Sequence, residues 1–463
     1  MVEIKIYQGN QIGGCVTLIS TEVEGATHRI MIDYGSSLPG SDTTEDFEYP
    51  WEEMPVDAVF FTHYHGDHVG RLMDIPKEVP LFIGETALKV MINIQEALSK
   101  LPGEEGEHHK IELDLLKDSK RMHTFHFNGT YYDHVKSIPG FKVESYSVDH
   151  SAYDAYMFLV EADAPESETG KKVILHTGDF RGHGRRGKAM LPVIKHYVHK
   201  NGRKVNTLIT EGTMMSRLDE KVRTENQMMA EAADYLKEHK YVFLICSSTN
   251  LDSLASFYQA AQMAASPYRR YLYTYNEYYR TQLRTFSDTA GAFTDAYQFE
   301  NVHQLDLDKE LNSAKWDKSR TQKELMETTG FLAVIKPEKW CEKYVDPFID
   351  DFKAGIIDQM PAIIYSMWDG YVREYTTDED GNKIDNKAKN QGWIDFLNRQ
   401  ESKGVEVKHL HTSGHALPQM LADVIKAVAP TDEIYPMHTE HPEMFEKLDI
   451  GKYAKIIVEA DHE

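Results

Sequence analysis

The chain has 463 residues, 41 % hydrophobic and 27 % charged, with a formal net charge of −23; that length suits two or three domains, or one domain carrying a large insertion. Such acidity gives no global support for nucleic-acid binding, so any contact with phosphates must follow a local basic path. No apolar run reaches membrane-spanning length, the N-terminus has no basic-then-apolar leader pattern, and three scattered cysteines, Cys15, Cys246 and Cys341, form neither a disulfide framework nor a zinc ribbon. A protein of the reducing cytoplasm with no membrane partner is therefore expected.

Residues 1 to about 210 read as short strands separated by turns and helices. IMIDYG (30–35), DAVFFTH (57–63), PLFIG (80–84), FKVESYSVDH (141–150), AYMFLVEAD (155–163), KVILHTGDF (172–180) and VNTLITEG (205–212) are apolar, β-branched or aromatic runs ending in Gly, Asp, His or Phe. Polar residues at strand ends put chemistry on loops above a rigid scaffold. The stretch 108–135 is polar without a clear period and reads as a surface excursion. From about 213 to 400, helical spacing at 225–240 and 252–266 alternates with apolar strands at 241–246, 331–335 and 362–367, the pattern of an α/β unit with a parallel sheet. Residues 376–390 read as a charged, turn-rich excursion. Two further strands, 405–415 and 433–441, are expected to return to the first part of the chain.

The strongest chemical signal is THYHGDH at 62–68, which follows an apolar strand and precedes a helix start. Imidazoles crowded beside a carboxylate would repel one another if protonated. A metal ion explains the cluster, because neutral imidazoles and carboxylate oxygens are good ligands for zinc and similar ions.

The H-x-H-x-D-H pattern resembles the metallo-β-lactamase superfamily. Further matches follow in order: Asp33 before Gly35, His150 in VDHSAYDA, Asp179 in HTGDF and His438 in IYPMHTEH. The resemblance implies two divalent metal ions, most simply Zn(2+), with Mn(2+) as the alternative. His63, His65 and His150 would hold one, and Asp67, His68 and His438 the other. Asp179 would bridge them, and Asp33 would orient a ligand imidazole.

The long segment between Asp179 and His438 is similar to the β-CASP branch, in which a second domain interrupts the metal domain. Glu211 in LITEGT and His415 in HTSGHA match that branch's later motifs, and VDHSAYDA, HTGDFR, SSTN and TSGHA together look most like ribonuclease J relatives. The implied fold is an α/β metallo-β-lactamase αββα sandwich, residues 1–212 and 403–463, with an inserted β-CASP-like domain at 213–402. Two departures stand out. Where relatives carry a Gly/Pro-rich loop, this chain has YSMWDGYVREY (365–375), and it ends soon after His438, without the family's extra C-terminal domain.

The implied activity is phosphodiester hydrolysis on RNA, with single-stranded DNA as the alternative, by a monomer or homodimer. A hydroxide held by two metals attacks phosphorus; binding to metal lowers the pKa of water from about 16 toward 7. Asp67, His415 and Glu211 are the expected catalytic residues, with His415 serving the leaving oxygen and Glu211 orienting it. Arg181, Ser247, Ser248, Thr249, Asn250 and Ser413 are the expected substrate contacts. Arg185 and Arg186 share the basic loop after Asp179, and Trp and Tyr in 365–375 are expected to pack more than to stack bases. Two rival readings remain: a hydrolase of a small ester, thioester or lactone, and a non-catalytic RNA-binding protein. A diiron reductase is disfavoured, since those relatives carry Glu at the position of His65.

Overall fold

The computed structural model describes residues 1–38, 46–125, 134–135, 138–217, 221–264, 271–312, 319–377, 382–451 and 455–456. The chain divides into two compact units, Met1–Lys221 with Gly414–Glu463, and Val222–Ser413. No helix among the described residues is long and apolar enough to cross a membrane.

Among the described residues the first unit holds one six-stranded and one seven-stranded sheet. In the first sheet, β1 (Glu3–Tyr7), β2 (Val16–Val23) and β3 (Ala26–Ile32) are antiparallel, and β4 (Ala58–Phe60), β5 (Leu81–Gly84) and β6 (Met122–Phe125) continue in parallel from β3. The second sheet contains β7 (His134–Val135), β8 (Phe141–Val148), β9 (Ala155–Asp163), β10 (Lys171–His176), β11 (Thr207–Glu211), β12 (Glu433–Met437) and β13 (Lys455–Ile456), in spatial order from β13 to β7 with β12 beside β11. Strands β10 to β13 run parallel, while β7 to β10 alternate.

Strand β9 is apolar on nearly every residue because both of its faces are covered. Side chains alternate across a strand. Tyr156, Phe158, Val160 and Ala162 point into a core shared with Ile4, Ile6, Ile19, Ile30, Ile32 and Phe60 of the first sheet. Met157 and Leu159 point the other way, into a second core closed by Met190 and Ile194 and by Leu421, Val424, Ile425 and Val428 of the helix Pro418–Val428. The result is a sandwich of two sheets with helices outside.

Several sequence expectations change here. The first hairpin, β1 and β2, was absent from the expected strands. The excursion at 108–135 takes in most of the helix Glu104–Leu116 and the strand β6; the helix buries just Gly106 and Leu116, so it has no apolar stripe to betray it. Residues 126–133 of that stretch, and 378–381 of the charged excursion, lie outside the described residues. The strand at 405–415 does not return to the first unit: Glu406–His409 pairs in parallel with Ala362–Tyr365. The junction expected at 402/403 therefore falls at 413/414.

The second unit is built on a six-stranded parallel sheet. Its order is Val302–Gln304, Leu272–Thr274, Phe331–Val334, Tyr241–Cys246, Ala362–Ser366 and Glu406–His409. Phe243, Phe331, Phe348 and Tyr365 fill its main core. Residues 247–250 follow the Tyr241–Cys246 strand and lead into the helix Leu251–Ala264.

Candidate metal centre

Every expected ligand, and Asp33 beside them, lies just beyond the carboxyl end of a strand in the first unit. Asp33 follows β3, His63 follows β4, His150 follows β8, Asp179 follows β10, and His438 follows β12. His65, Asp67 and His68 are supplied by the loop and short helix after β4. Asp33 and His438 hold positive φ, 61° and 53°, a conformation that non-glycine residues adopt at a cost and that recurs at functional sites.

The side chains converge in three-residue groups whose ligand atoms lie within 4.8 Å of one another: His63, His65 and His150; His63, His68 and Asp179; Asp67, His68 and His438; and His150, Asp179 and His415. His63 Nε2 and His150 Nε2 lie 3.1 and 3.3 Å from His65 Nδ1. His438 Nε2 is 3.2 Å from Asp67 Oδ2, and His68 Nε2 is 3.1 Å from Asp179 Oδ2.

The outer ring nitrogens explain why these inner ones face each other. Thr62 Oγ1 donates to Asp33 Oδ2 at 2.8 Å, so it accepts from His63 Nδ1 at 3.0 Å. His68 Nδ1 donates to Asp33 Oδ2 at 2.8 Å. His150 Nδ1 donates to the Gly414 carbonyl at 2.7 Å. Thr213 Oγ1 donates to the His438 carbonyl and accepts from His438 Nδ1 at 2.9 Å. Each of these four imidazoles thus has an outer partner for its Nδ1 proton and directs Nε2 inward, the arrangement metal-bound histidines show.

Charge supports the same fit. Burial, reinforced by neighbouring imidazoles, pushes His63 and His150 well below the ordinary histidine range, and burial lowers His65 to about 4. These rings are therefore neutral, as ligands must be. Burial also opposes a charge on His68, but Asp179, Asp67 and Asp33 outweigh it and raise that ring. Asp179 is fully buried, yet its Oδ1 has no hydrogen-bond partner among the described residues. A buried carboxylate oxygen without a donor is costly, and a cation removes the cost. The donor set of imidazole nitrogens and carboxylate oxygens fits divalent metal.

Glu211 and His415 complete the site. Glu211 Oε2 lies 3.2 Å from His415 Nδ1, which is 3.7 Å from Asp179 Oδ2. Burial opposes protonation of His415, but Glu211, Asp179 and Asp67 push it up to about 9. The His415 side chain is 24 % exposed, against 1 % for Asp179, so solvent reaches it. Glu211 does more than orient this ring. Its Oε1 accepts from the Phe180 and Ala416 amides and its Oε2 from the Thr213 amide, so it joins three loops.

The expected substrate contacts fare differently. Arg181 is completely buried with Nε 3.6 Å from Asp149 Oδ1, so it is not offered to a substrate. Ser247, Ser248, Thr249 and Asn250 belong to the second unit. There Ser247 Oγ pairs with Thr249 Oγ1, Ser248 Oγ with the Tyr278 hydroxyl, and Asn250 Oδ1 accepts from the Ser253 amide at the start of a helix. Ser413 is the last residue of that unit. Tyr365 is buried, while Trp368 and Tyr371 are partly exposed and pack edge-on against each other, Tyr371 also against Trp393. Thr62, Thr213 and the Gly414 carbonyl were missed from sequence; the adjacency of Thr62 to His63 and of Thr213 to Glu211 was the available hint.

Residues 19–110 match the metallo-β-lactamase superfamily. Among solved structures, a protein of unknown function from Enterococcus faecalis V583 aligns over 98 % of this chain and 97 % of its own, with a TM-score of 0.64 and 18 % identity. MEM-A1, a subclass B3 metallo-β-lactamase from a soil metagenome library, covers 45 % of this chain and 75 % of its own at 12 % identity and a TM-score of 0.27. Zn(2+)-bound PqqB from Methylobacterium extorquens covers 50 % and 85 % at 14 % identity and a TM-score of 0.29. No curated protein sequence matches.

Proposed function

We propose that this chain, which carries a metallo-β-lactamase superfamily domain, is a metal-dependent phosphodiester hydrolase of the β-CASP, ribonuclease J-like type acting on RNA. The observation that carries the reading is the Glu211–His415 pair beside Asp179, an accessible imidazole added to an otherwise complete ligand set. The separate α/β unit at Val222–Ser413 supports it, because a small substrate needs no second large domain.

His63, His65 and His150 would hold one divalent ion, and Asp67, His68 and His438 a second, with Asp179 between them. Zinc is the simplest choice and manganese the alternative. Bound divalent metal supplies Lewis acidity, which lowers the pKa of water and neutralises charge on a phosphodiester oxygen. Glu211 holds His415 Nδ1, which leaves Nε2 to carry a proton to the departing ribose oxygen. Asp33, Thr62, Thr213 and the Gly414 carbonyl fix the ligand rings, so the donors need no rearrangement when metal enters.

A small-ester, thioester or lactone hydrolase is the second reading, and the net charge of −23 favours it. The test is direct. Metal-reconstituted protein is incubated separately with 5′-phosphorylated RNA, single-stranded DNA, a lactone and a thioester. RNA cleavage that weakens as salt rises is expected, because each Lys or Arg contact to a phosphate releases counterions. Lactone or thioester turnover without RNA cleavage would reject the nuclease.

A further inference from the structure

Resting on the reading of this site as a metal centre, we infer that Asp149, Arg181 and Arg186 form a positioning clamp. It fixes His150 and ties it to Asp179, although the basic loop 181–186 looks from sequence like a phosphate-binding lip.

Asp149 is the residue before His150, and Arg181 is two residues beyond Asp179. The Arg181 amide donates to the Asp149 carbonyl at 2.7 Å, so the two loops are stitched at the backbone. The side chains repeat the connection: Arg181 Nε lies 3.6 Å from Asp149 Oδ1, both groups being fully buried. Arg186 comes from the same loop. Its Nη2 donates to the His150 carbonyl at 3.0 Å and stands 3.7 Å from Asp149 Oδ1. Its guanidinium lies 4.7 Å above the Tyr153 ring, which holds the planar group in place.

The loop leaves no room for slack. A Cβ on Gly184 would sit 2.4 Å from Asp149 Oδ2 and 2.6 Å from Arg181 Nε, and one on Gly187 would sit 2.2 Å from the Gly182 carbonyl oxygen. His150 is therefore held at its own carbonyl by Arg186, at the preceding carbonyl by Arg181, and at Nδ1 by the Gly414 carbonyl. Asp179 is held from the other side, because the next two amides, Phe180 and Arg181, donate to Glu211 and to Asp149. The clamp thus sets the separation of a ligand in one metal group from the carboxylate shared with the other. A ligand displaced by about 1 Å loses much of its worth, and partners of this kind typically carry 10- to 100-fold in metal affinity.

The experiment is a cobalt(II) titration of the full chain, followed by visible absorption, on wild type, Arg186→Met, Arg186→Lys, Asp149→Asn and a control, Arg121→Met. Arg186 is the main target because its side chain is partly exposed, so the variant should fold. Arg121 is a buried arginine elsewhere, bonded to the carbonyls of Ile75, Pro76 and Val79. The clamp predicts that Arg186→Met and Asp149→Asn weaken one cobalt step by about 10- to 100-fold and change its spectrum. It predicts that Arg186→Lys recovers part of the loss through one N–H bond to the His150 carbonyl, and that Arg121→Met lowers stability with both steps unchanged. Arg186→Met that loses stability but keeps wild-type cobalt steps and spectrum overturns the clamp alone. Wild type that takes up no cobalt overturns the metal centre and the clamp with it.

Discussion

Replacing Asp33 by Asn probes how far the site depends on one buried carboxylate that would touch no metal. Asp33 accepts three hydrogen bonds: Thr62 N to Oδ1 at 2.7 Å, and Thr62 Oγ1 and His68 Nδ1 to Oδ2, both at 2.8 Å. An amide keeps one oxygen. If that oxygen stays with the Thr62 amide, the new NH2 group faces a hydroxyl and an imidazole N–H. The hydroxyl can turn to accept; the His68 Nδ1–H cannot. His68 must then rotate or move its proton to Nε2, the atom 3.1 Å from Asp179 that a metal would need. Loss of such an orienting partner costs about 10- to 100-fold in affinity, or about 1.4–2.7 kcal/mol. The group of Asp67, His68 and His438 should take most of it. A smaller loss is expected in the group of His63, because Thr62 Oγ1 also serves His63 Nδ1. Zinc titration against a chromophoric chelator should show one step weakened strongly and the other slightly. Two unchanged steps would refute the reasoning that Asp33 sets the tautomer of His68.

His415→Ala should keep both metals and lower single-turnover RNA cleavage by about a hundredfold or more; an unchanged rate with lowered stability would leave His415 as a turn residue. Asp179→Ala should lose metal as well as activity, read by elemental analysis of chelator-free protein, because Asp179 converges with His63 and His68, one from each proposed ligand group. The acid limb of stability should carry a signature far from the site. Burial would raise Glu144, but Arg203, Lys142 and Tyr146 donate to it and lower it from 4.5 to about 2. A carboxylate depressed on folding contributes above its unfolded value and loses that contribution as pH falls through the folded one. Glu144→Gln should therefore shrink the drop in urea midpoint between about pH 6 and about pH 3; an equal drop in both proteins would remove Glu144 from the acid response.

How much was legible in the sequence follows from how local each signal is. THYHGDH is local, since one strand end and one turn place His63, His65, Asp67 and His68 together. His150, Asp179 and His438 were found through their order along the chain, and the strand ends that bring them together became visible with the sheets. The orienting groups were hidden because hydroxyls and backbone carbonyls are everywhere in a sequence. Nothing in the letters of Thr213 or Gly414 says that one faces His438 and the other His150. Arg181 was misread for a related reason. A run of glycines and arginines after Asp179 looks solvated in one dimension, whereas here Asp149 and the packed glycines enclose it.

The ligand geometry is a property of the sandwich more than of any motif. The donors come from strand ends in both sheets: His63 from the first, where Asp33 orients His68, and His150, Asp179 and His438 from the second. The strands hold their spacing through a core in which Ile32 and Phe60 meet Phe158, Ile174 and Met437. A cavity in that core would therefore act on the site without touching it, by letting one sheet shift against the other. The same arrangement explains why so many carboxylates and imidazoles are buried together at a cost. Asp33 directs its charge to two donors of Thr62 and to His68, Glu211 directs its own to three amides and to His415, and Asp179 keeps one oxygen without a hydrogen-bond donor among the described residues. That last oxygen is where the described residues leave the site's electrostatics open, and divalent metal held by the neighbouring ligand groups would close them.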